Sequence, residues 1–140
     1  MTDLAGGCAC GQIRFMAKGA YKFAFFCQCR SCQKMTGSGH AAQFCHDRST
    51  FSVTGAPAQW SRKTDAGETV TKSFCQTCGA PLFGTTTRAP GIVMVLAGAL
   101  DSPAVVRPDR VFFAENRVAW DDLQRVGAAQ EQQPRESRAT

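Results

Sequence analysis

Hydrophobic and polar residues alternate in the first part of the chain. In residues 11–17, Ile13 and Phe15 alternate with the polar side chains of Gln12 and Arg14. This period of two predicts a half-buried strand. Residues 21–27 are rich in aromatic side chains, and residues 40–46 and 50–54 are further short segments separated by turn residues. Aromatic and β-branched residues favour strands, so we predict a strand in each segment.

A hairpin is the clearest element of the second half. Residues 59–64 and 68–74 flank Asp65-Ala66-Gly67, a three-residue connection that contains glycine. We predict a further strand at residues 82–87. The continuous apolar run 92–97 is typical of a strand buried on both faces. Two last short segments follow, at 111–114 and 118–120.

One polar stretch interrupts this pattern. Residues 30–39 end on the breaker Gly37-Ser38-Gly39, so we expect a loop or a single helical turn there. The pattern as a whole predicts an all-β fold of short strands with turns at regular intervals.

Composition divides the chain into one domain and a tail. Residues 128–140 contain no aromatic and no large aliphatic residue and are rich in Gln, Glu and Arg. Such a segment cannot bury enough apolar surface to offset its ordering entropy. We therefore predict one zinc-binding domain over residues 1–126 and a disordered or frayed tail over residues 127–140.

Charge and hydropathy restrict the class of partner. The net charge of +5 is spread along the chain, which suits an anionic small molecule and not nucleic acid, since nucleic-acid-binding proteins cluster their basic residues. The longest apolar run, residues 92–100, is too short to cross a membrane, and residues 1–7 lack the pattern of a signal peptide. Eight cysteines in such a sequence indicate a reducing compartment, the cytoplasm, and metal binding in place of disulfides.

Seven of the eight cysteines fall in three clusters, namely Cys8-Ala9-Cys10, Cys27-Gln28-Cys29-Arg30-Ser31-Cys32 and Cys75-Gln76-Thr77-Cys78. The two outer pairs together supply four thiolates, enough for a closed structural zinc site. The middle cluster supplies three and leaves one coordination position for water or substrate, as catalytic zinc sites do. We therefore predict two zinc ions per chain, a structural one at Cys8, Cys10, Cys75 and Cys78 and a catalytic one at Cys27, Cys29 and Cys32.

Three further residues offer an alternative for the middle cluster. His40, Cys45 or His46 could loop back and close the second zinc site with a fourth protein ligand. The protein would then be a non-catalytic zinc-binding interaction module. A redox sensor that forms a disulfide on metal loss is another possibility. Taken singly, Cys45 is interpreted as a small buried side chain, and Trp60 and Trp120 as core or pocket wall.

The motifs resemble the glutathione-dependent formaldehyde-activating enzyme family, whose domain centromere protein V also carries. The resemblance extends over residues 7–101 and rests on the three cysteine clusters, on Gln33-Lys34 and Thr36-Gly37 after the middle one, and on Gly98-Ala99-Leu100-Asp101. It implies a β-tent of antiparallel sheets that converge on zinc, with the same division between structural and catalytic ligands. Gln28 stands where the family commonly has histidine, and Arg110 where a histidine often precedes the late apolar segment.

The activity implied by the resemblance is that of a carbon–sulfur lyase, the S-(hydroxymethyl)glutathione synthase reaction. It condenses formaldehyde reversibly with glutathione, so the expected partners are a small-molecule thiol and an aldehyde. Because glutathione is anionic, some of the basic residues near the clusters are candidates for contacting its carboxylates: Arg30, Lys34, Arg62, Lys63 and Arg88.

Overall fold

The computed structural model describes residues 2–123 and contains ten β-strands and one α-helix within them. The predicted tail, residues 127–140, lies outside the described residues. In chain order the elements are β1 (Leu4–Gly7), β2 (Arg14–Ala17), β3 (Phe23–Cys27), α1 (Arg30–Thr36), β4 (Ala41–Asp47), β5 (Phe51–Thr54), β6 (Ala58–Lys63), β7 (Thr69–Phe74), β8 (Pro81–Thr86), β9 (Ile92–Leu96) and β10 (Val111–Phe112).

The strands form two sheets. The smaller sheet has the order β1-β2-β5, and the larger has the order β10-β3-β4-β9-β8-β7-β6. All pairs are antiparallel except β3 with β10, a short parallel pair. The all-β prediction is confirmed, and the cysteine clusters lie at strand ends as the β-tent requires.

Three elements differ from the sequence prediction. Strand β1 was not predicted because its sequence, Leu-Ala-Gly-Gly, has low strand propensity. The strand forms by pairing with β2, and it needs glycine at position 6, where a Cβ atom would lie 2.4 Å from the Ala99 carbonyl oxygen. Strand β9 packs Val93 and Val95 of one face into one group of buried side chains and Leu96 of the other face into a second, so the predicted burial on both faces is confirmed. The predicted last segment, residues 118–120, forms no strand. The expected single helical turn is a seven-residue helix, α1.

Buried side chains form two hydrophobic clusters, and each contains cysteines of one predicted metal site. The first core joins the two sheets and includes Phe15, Phe44 and Leu82 together with Cys8 and Cys75. The second core lies between β3, β4 and α1 and consists of Phe25, Cys27, Cys32, Ala41, Cys45 and Leu96. The fold therefore places the two groups of cysteines in separate apolar surroundings.

Candidate metal centres

The four-cysteine cluster consists of Cys8, Cys10, Cys75 and Cys78, and it joins two hairpin turns. Cys8 and Cys10 lie in the β1–β2 turn of the smaller sheet, and Cys75 and Cys78 in the β7–β8 turn of the larger sheet. All four sulfur atoms lie within 4.8 Å of one another. The Sγ–Sγ distances are 3.6 Å for Cys8–Cys10 and 3.7 Å for Cys10–Cys75. Tetrahedral zinc with Zn–S bonds of about 2.3 Å requires sulfurs about 3.8 Å apart, so this donor set fits zinc.

Backbone amides orient the sulfurs of this cluster. The Ile13 amide donates to Cys8 Sγ at 3.2 Å, and the Cys78 amide donates to Cys75 Sγ at 3.5 Å. Gly79 follows with a φ of 80°, a left-handed conformation that favours glycine, and lets the turn close through its amide onto the Cys75 carbonyl at 2.8 Å. The amide of Ala80 lowers the pKa of Cys78 to about 6. The turn therefore favours the thiolate form that a metal ion binds.

The three-cysteine cluster consists of Cys27, Cys29 and Cys32. Cys27 ends β3, Cys29 caps the N-terminus of α1, and Cys32 lies in the first turn of the helix. Cys27 and Cys32 are buried, Cys29 is half-buried, and the three sulfurs lie within 4.8 Å of one another. The Cys32 amide donates to Cys29 Sγ at 3.4 Å, which repeats the amide-to-sulfur bond of the Cys75–Cys78 turn. Cys32 Sγ also accepts from Gln43 Nε2 at 3.7 Å.

Charge and hydrogen bonding favour a thiolate in this cluster. Hydrogen bonds from the Cys27 and Cys32 thiols lower the pKa of Cys29, and the nearby ammonium group of Lys72 acts in the same direction. Three soft sulfur donors held in this way are a ligand set that zinc prefers. The geometry therefore fits a metal ion here as well.

The structure does not bring the three alternative ligands to this cluster. Over residues 2–123, no further Cys, His, Asp or Glu ligand atom joins the three sulfurs within 4.8 Å. His40 Nδ1 lies 2.9 Å from Asp121 Oδ1, and His46 Nδ1 lies 3.1 Å from the Asp47 carbonyl oxygen. Cys45 is buried in the second core, where burial raises the pKa of its thiol to about 11. Residues 124–140 contain neither cysteine nor histidine.

A buried polar network ties the last described residues to the three-cysteine loop. The side chain of Gln28 is 1% exposed and donates to Asp121 Oδ2 at 3.1 Å, while His40 contacts the same carboxylate. Gly39 allows this approach, since a Cβ atom there would lie 2.4 Å from the Asp121 side chain. Gln33 Nε2 donates to the carbonyl oxygens of Gln28 and Asn116 at 2.9 and 3.0 Å. Sequence reasoning missed Asp121, because no local signal links it to a position 93 residues earlier.

Two of the five candidate basic residues lie beside the three-cysteine loop, and neither is held by a glutamine side chain of residues 2–123. Lys34 lines a cleft next to α1, and Arg62 Nε donates to Ser31 Oγ at 3.2 Å. Arg30 is held by the Gln33 side chain, whereas Lys63 and Arg88 are exposed and do not line the cleft.

Lys72 also lines the cleft and was not predicted. It pairs with Trp60 across the β6–β7 hairpin, so the register of the predicted hairpin was the signal that could have found it. Trp60, 54% exposed, lies on the wall of the cleft, as the pocket-wall interpretation expected. Trp120 is 71% exposed, so neither tryptophan is a core residue.

Known proteins resemble this chain in sequence and in fold. The sequence model of the family described as "Glutathione-dependent formaldehyde-activating enzyme" matches residues 3–116. The chain belongs to this family. A Halomonas elongata protein named "Putative glutathione-dependent formaldehyde-activating enzyme" is 32% identical over 130 residues, which cover 86% of this chain and 81% of the relative.

A solved structure agrees in fold. The crystal structure of a Rhodobacter sphaeroides protein superposes with a TM-score of 0.60 at 19% identity, covering 76% of this chain and 98% of the other. The resemblance to the glutathione-dependent formaldehyde-activating enzyme family, drawn above from motifs, is thus confirmed. No helix among residues 2–123 is long and apolar enough to span a membrane.

Proposed function

We propose that the protein is a zinc-dependent carbon–sulfur lyase that reversibly adds a glutathione-type thiol to formaldehyde or another small aldehyde. The observation that supports this proposal is the three-cysteine cluster, in which three sulfur atoms lie within 4.8 Å of one another and no further Cys, His, Asp or Glu ligand atom of residues 2–123 joins them. Family membership supports the same class of reaction.

Two zinc ions per chain complete the proposal. Cys27, Cys29 and Cys32 would hold the catalytic ion, and Cys8, Cys10, Cys75 and Cys78 the structural ion. Bound zinc would supply Lewis acidity that favours the thiolate form of a thiol substrate at neutral pH. Because ligands of this kind must stay reduced, we place the protein in the cytoplasm.

The reaction involves no redox step, and its catalysis depends on positioning the thiol and the aldehyde. In the forward direction a carbon–sulfur bond forms, the π bond of the aldehyde carbonyl breaks, and the proton lost by the thiol ends on the carbonyl oxygen. No electrons are gained or lost overall. The contribution of the chain is to hold the thiol and the aldehyde together, which replaces a bimolecular encounter with a reaction between oriented groups.

Several residues of the chain maintain this arrangement. The α1 amide of Cys32 and the Gln43 side chain fix two of the sulfurs. Residues of the second core, including Phe25 and Leu96, surround Cys27 and Cys32 and limit access of water from the protein side. The positive charge of Lys72 favours anionic sulfur at the cluster.

Exchange spectroscopy tests the proposal. NMR with ¹³C-formaldehyde and glutathione measures interconversion of free aldehyde and S-hydroxymethylglutathione above the uncatalysed rate. We expect the zinc-loaded protein to accelerate this exchange and Cys32→Ser to remove the acceleration while its far-ultraviolet circular dichroism is retained.

Metal content separates this proposal from the interaction-module alternative. We expect two zinc ions per chain and a change in the zinc X-ray absorption spectrum when glutathione is added. Two fully protein-ligated zinc ions, with a spectrum that glutathione leaves unchanged, would contradict the enzyme proposal and favour the non-catalytic module.

A further inference from the structure

A cleft of about 310 Å³ lies between helix α1 and the β6–β7 hairpin. Ser31, Lys34 and Met35 of α1 form one wall, and Trp60, Lys72 and Phe74 of the hairpin form the other. Its volume is at the lower end of the range of small-molecule sites, about 300–1,000 Å³. Ser31 lies between Cys29 and Cys32 in the chain, so the cleft adjoins the three-cysteine loop, and Gly79, which follows Cys78, also lines it. The ammonium group of Lys72 on the cleft wall acts on Cys29 of the three-cysteine cluster.

Positive charge gathers at this cleft without a compensating carboxylate. Lys34 and Lys72 line it, no acidic residue of the described range 2–123 does, and Arg62 lies at its edge through the bond to Ser31. Within residues 2–123, none of these three cations forms an ion pair with Asp or Glu. Lys72 Nζ contacts Met35 Sδ at 3.6 Å, and a thioether is a weak acceptor.

Two of these cations are partly removed from water. Lys72 and Arg62 are half-buried, and a buried charge is costly unless an opposite charge or hydrogen bonds compensate it. A chain that keeps two such cations beside an apolar surface of Trp60, Met35 and Phe74 is suited to an anionic ligand with an apolar or peptide-like body.

We propose that this cleft recognises a carboxylate of the thiol substrate, through Lys34 and Lys72 with Arg62 at the edge, while the substrate sulfur lies at the three-cysteine cluster. This inference rests on the proposed function, to which it adds the residues that would select a carboxylate-bearing thiol. Trp60 and Phe74 would contact the body of the substrate. The same cations would disfavour positively charged thiols such as cysteamine.

A second role for Lys72 makes a different prediction. If its charge served only to offset the negative cluster of thiolates, its removal would weaken metal retention and affect all thiols equally. Carboxylate recognition instead predicts an effect that depends on whether the thiol carries a carboxylate. A pair of thiols that differ in this group alone therefore distinguishes the two roles.

N-acetylcysteine and N-acetylcysteamine are such a pair, because the second lacks only the carboxylate of the first. We expect the zinc-loaded protein to show a KM about tenfold lower for N-acetylcysteine, in line with a charge-assisted hydrogen bond.

Lys72→Met and Lys34→Met should each reduce this preference severalfold, mainly through KM, and Lys72→Arg should restore part of it. Lys18→Met removes an exposed lysine of the smaller sheet and should leave the preference unchanged. Equal KM values for the two thiols in the unmodified protein, or a preference that survives both substitutions, would overturn the inference.

A binding measurement keeps this test separate from catalysis. S-methylglutathione carries both carboxylates but no reactive thiol, and its dimethyl ester lacks both carboxylate charges and keeps the ammonium group. Isothermal titration should show about tenfold tighter binding of the acid than of the ester, and Lys72→Met should abolish the difference. If the protein turns over neither thiol but still binds the acid more tightly than the ester, the proposed reaction is wrong and the proposed carboxylate site is supported. If acid and ester bind equally, the anion site is wrong whatever the activity.

Discussion

Asp121 provides a buried carboxylate that accepts a hydrogen bond from the three-cysteine loop. It accepts from the amide of Gln28 and from the ring of His40, and it is 8% exposed. The Gln28 bond therefore connects the three-cysteine loop to the last described residues.

Asp121→Ala should lower the free energy of unfolding by about 1–3 kcal/mol, because it leaves the buried Gln28 amide without its acceptor. Urea unfolding of the zinc-loaded protein measures the change. Asp109→Ala is a suitable control, since it removes a carboxylate that pairs with Arg110 at the surface and should cost less than about 1 kcal/mol. Equal effects of the two substitutions would show that the buried network contributes little.

Gln43 is the second residue with a specific role at the cluster. Its amide donates to Cys32 Sγ from a position that is 6% exposed. We expect Gln43→Leu to weaken metal retention at the three-cysteine cluster by about 10-fold or more, as substitutions of groups that orient metal ligands do. Chelator-driven release of zinc from the purified protein measures the effect. The four-cysteine cluster is an internal control, so only about half of the zinc should become more labile; faster release of all the zinc would contradict a local role.

Side-chain contacts of this kind are beyond sequence reasoning. The cysteine positions could be grouped correctly because the spacing of two pairs and a triplet is itself a ligand count. The contacts of Lys72 with Met35 and of Asp121 with Gln28 could not be predicted, since these partners lie 37 and 93 residues apart and only the folded chain brings them together.

At the scale of elements, sequence reasoning succeeded where the signal is local. The β6–β7 hairpin has its glycine-containing turn and alternating arms within 17 residues, and its pairing runs from Lys63–Thr69 to Ala58–Phe74. Strand β1 was not predicted, because it forms through its pairing with β2 and through a bridge from Gly6 to Leu100. Helix α1 is too short to be stable alone; the Cys29 cap and the Gln33 bonds hold it in place.

We expect the two Cys-x-x-Cys turns to have different roles, and serine substitutions should distinguish them. Cys75 is 1% exposed, lies in the first core and belongs to the cluster that joins the two sheets. Cys75→Ser should therefore prevent stable folding, or lower the thermal midpoint far more than Cys32→Ser does, because metal binding there is coupled to folding. Circular dichroism melts with and without a chelator measure this. If both variants lose the fold to the same extent, the division into structural and catalytic sites is wrong.

For the whole molecule, the separation of the two cores predicts how the loss of each metal would spread. The four-cysteine cluster and the first core hold the smaller sheet against the larger one. Only a few polar contacts add to this connection, among them the Arg14–Asp101 pair, which is exposed and has N–O distances of 2.9 and 2.5 Å. The three-cysteine cluster lies in the second core, against β3 and β4. Loss of metal from one site should therefore loosen different strands than loss of metal from the other.

Hydrogen exchange of the zinc-loaded protein and two variants tests this separation. Cys10→Ser removes an exposed ligand of the four-cysteine cluster and should increase exchange in β1, β2 and β5, since local opening follows the elements that lose their anchor. Cys32→Ser should increase exchange in α1 and in the adjoining ends of β3 and β4, while β6, β7 and β8 keep their protection. Arg14→Gln is the control for a surface connection between the sheets and should change exchange much less than Cys10→Ser, because exposed ion pairs contribute little. A uniform increase across both sheets in either cysteine variant would mean that the two cores unfold as one unit, and the metal sites would then not be independent.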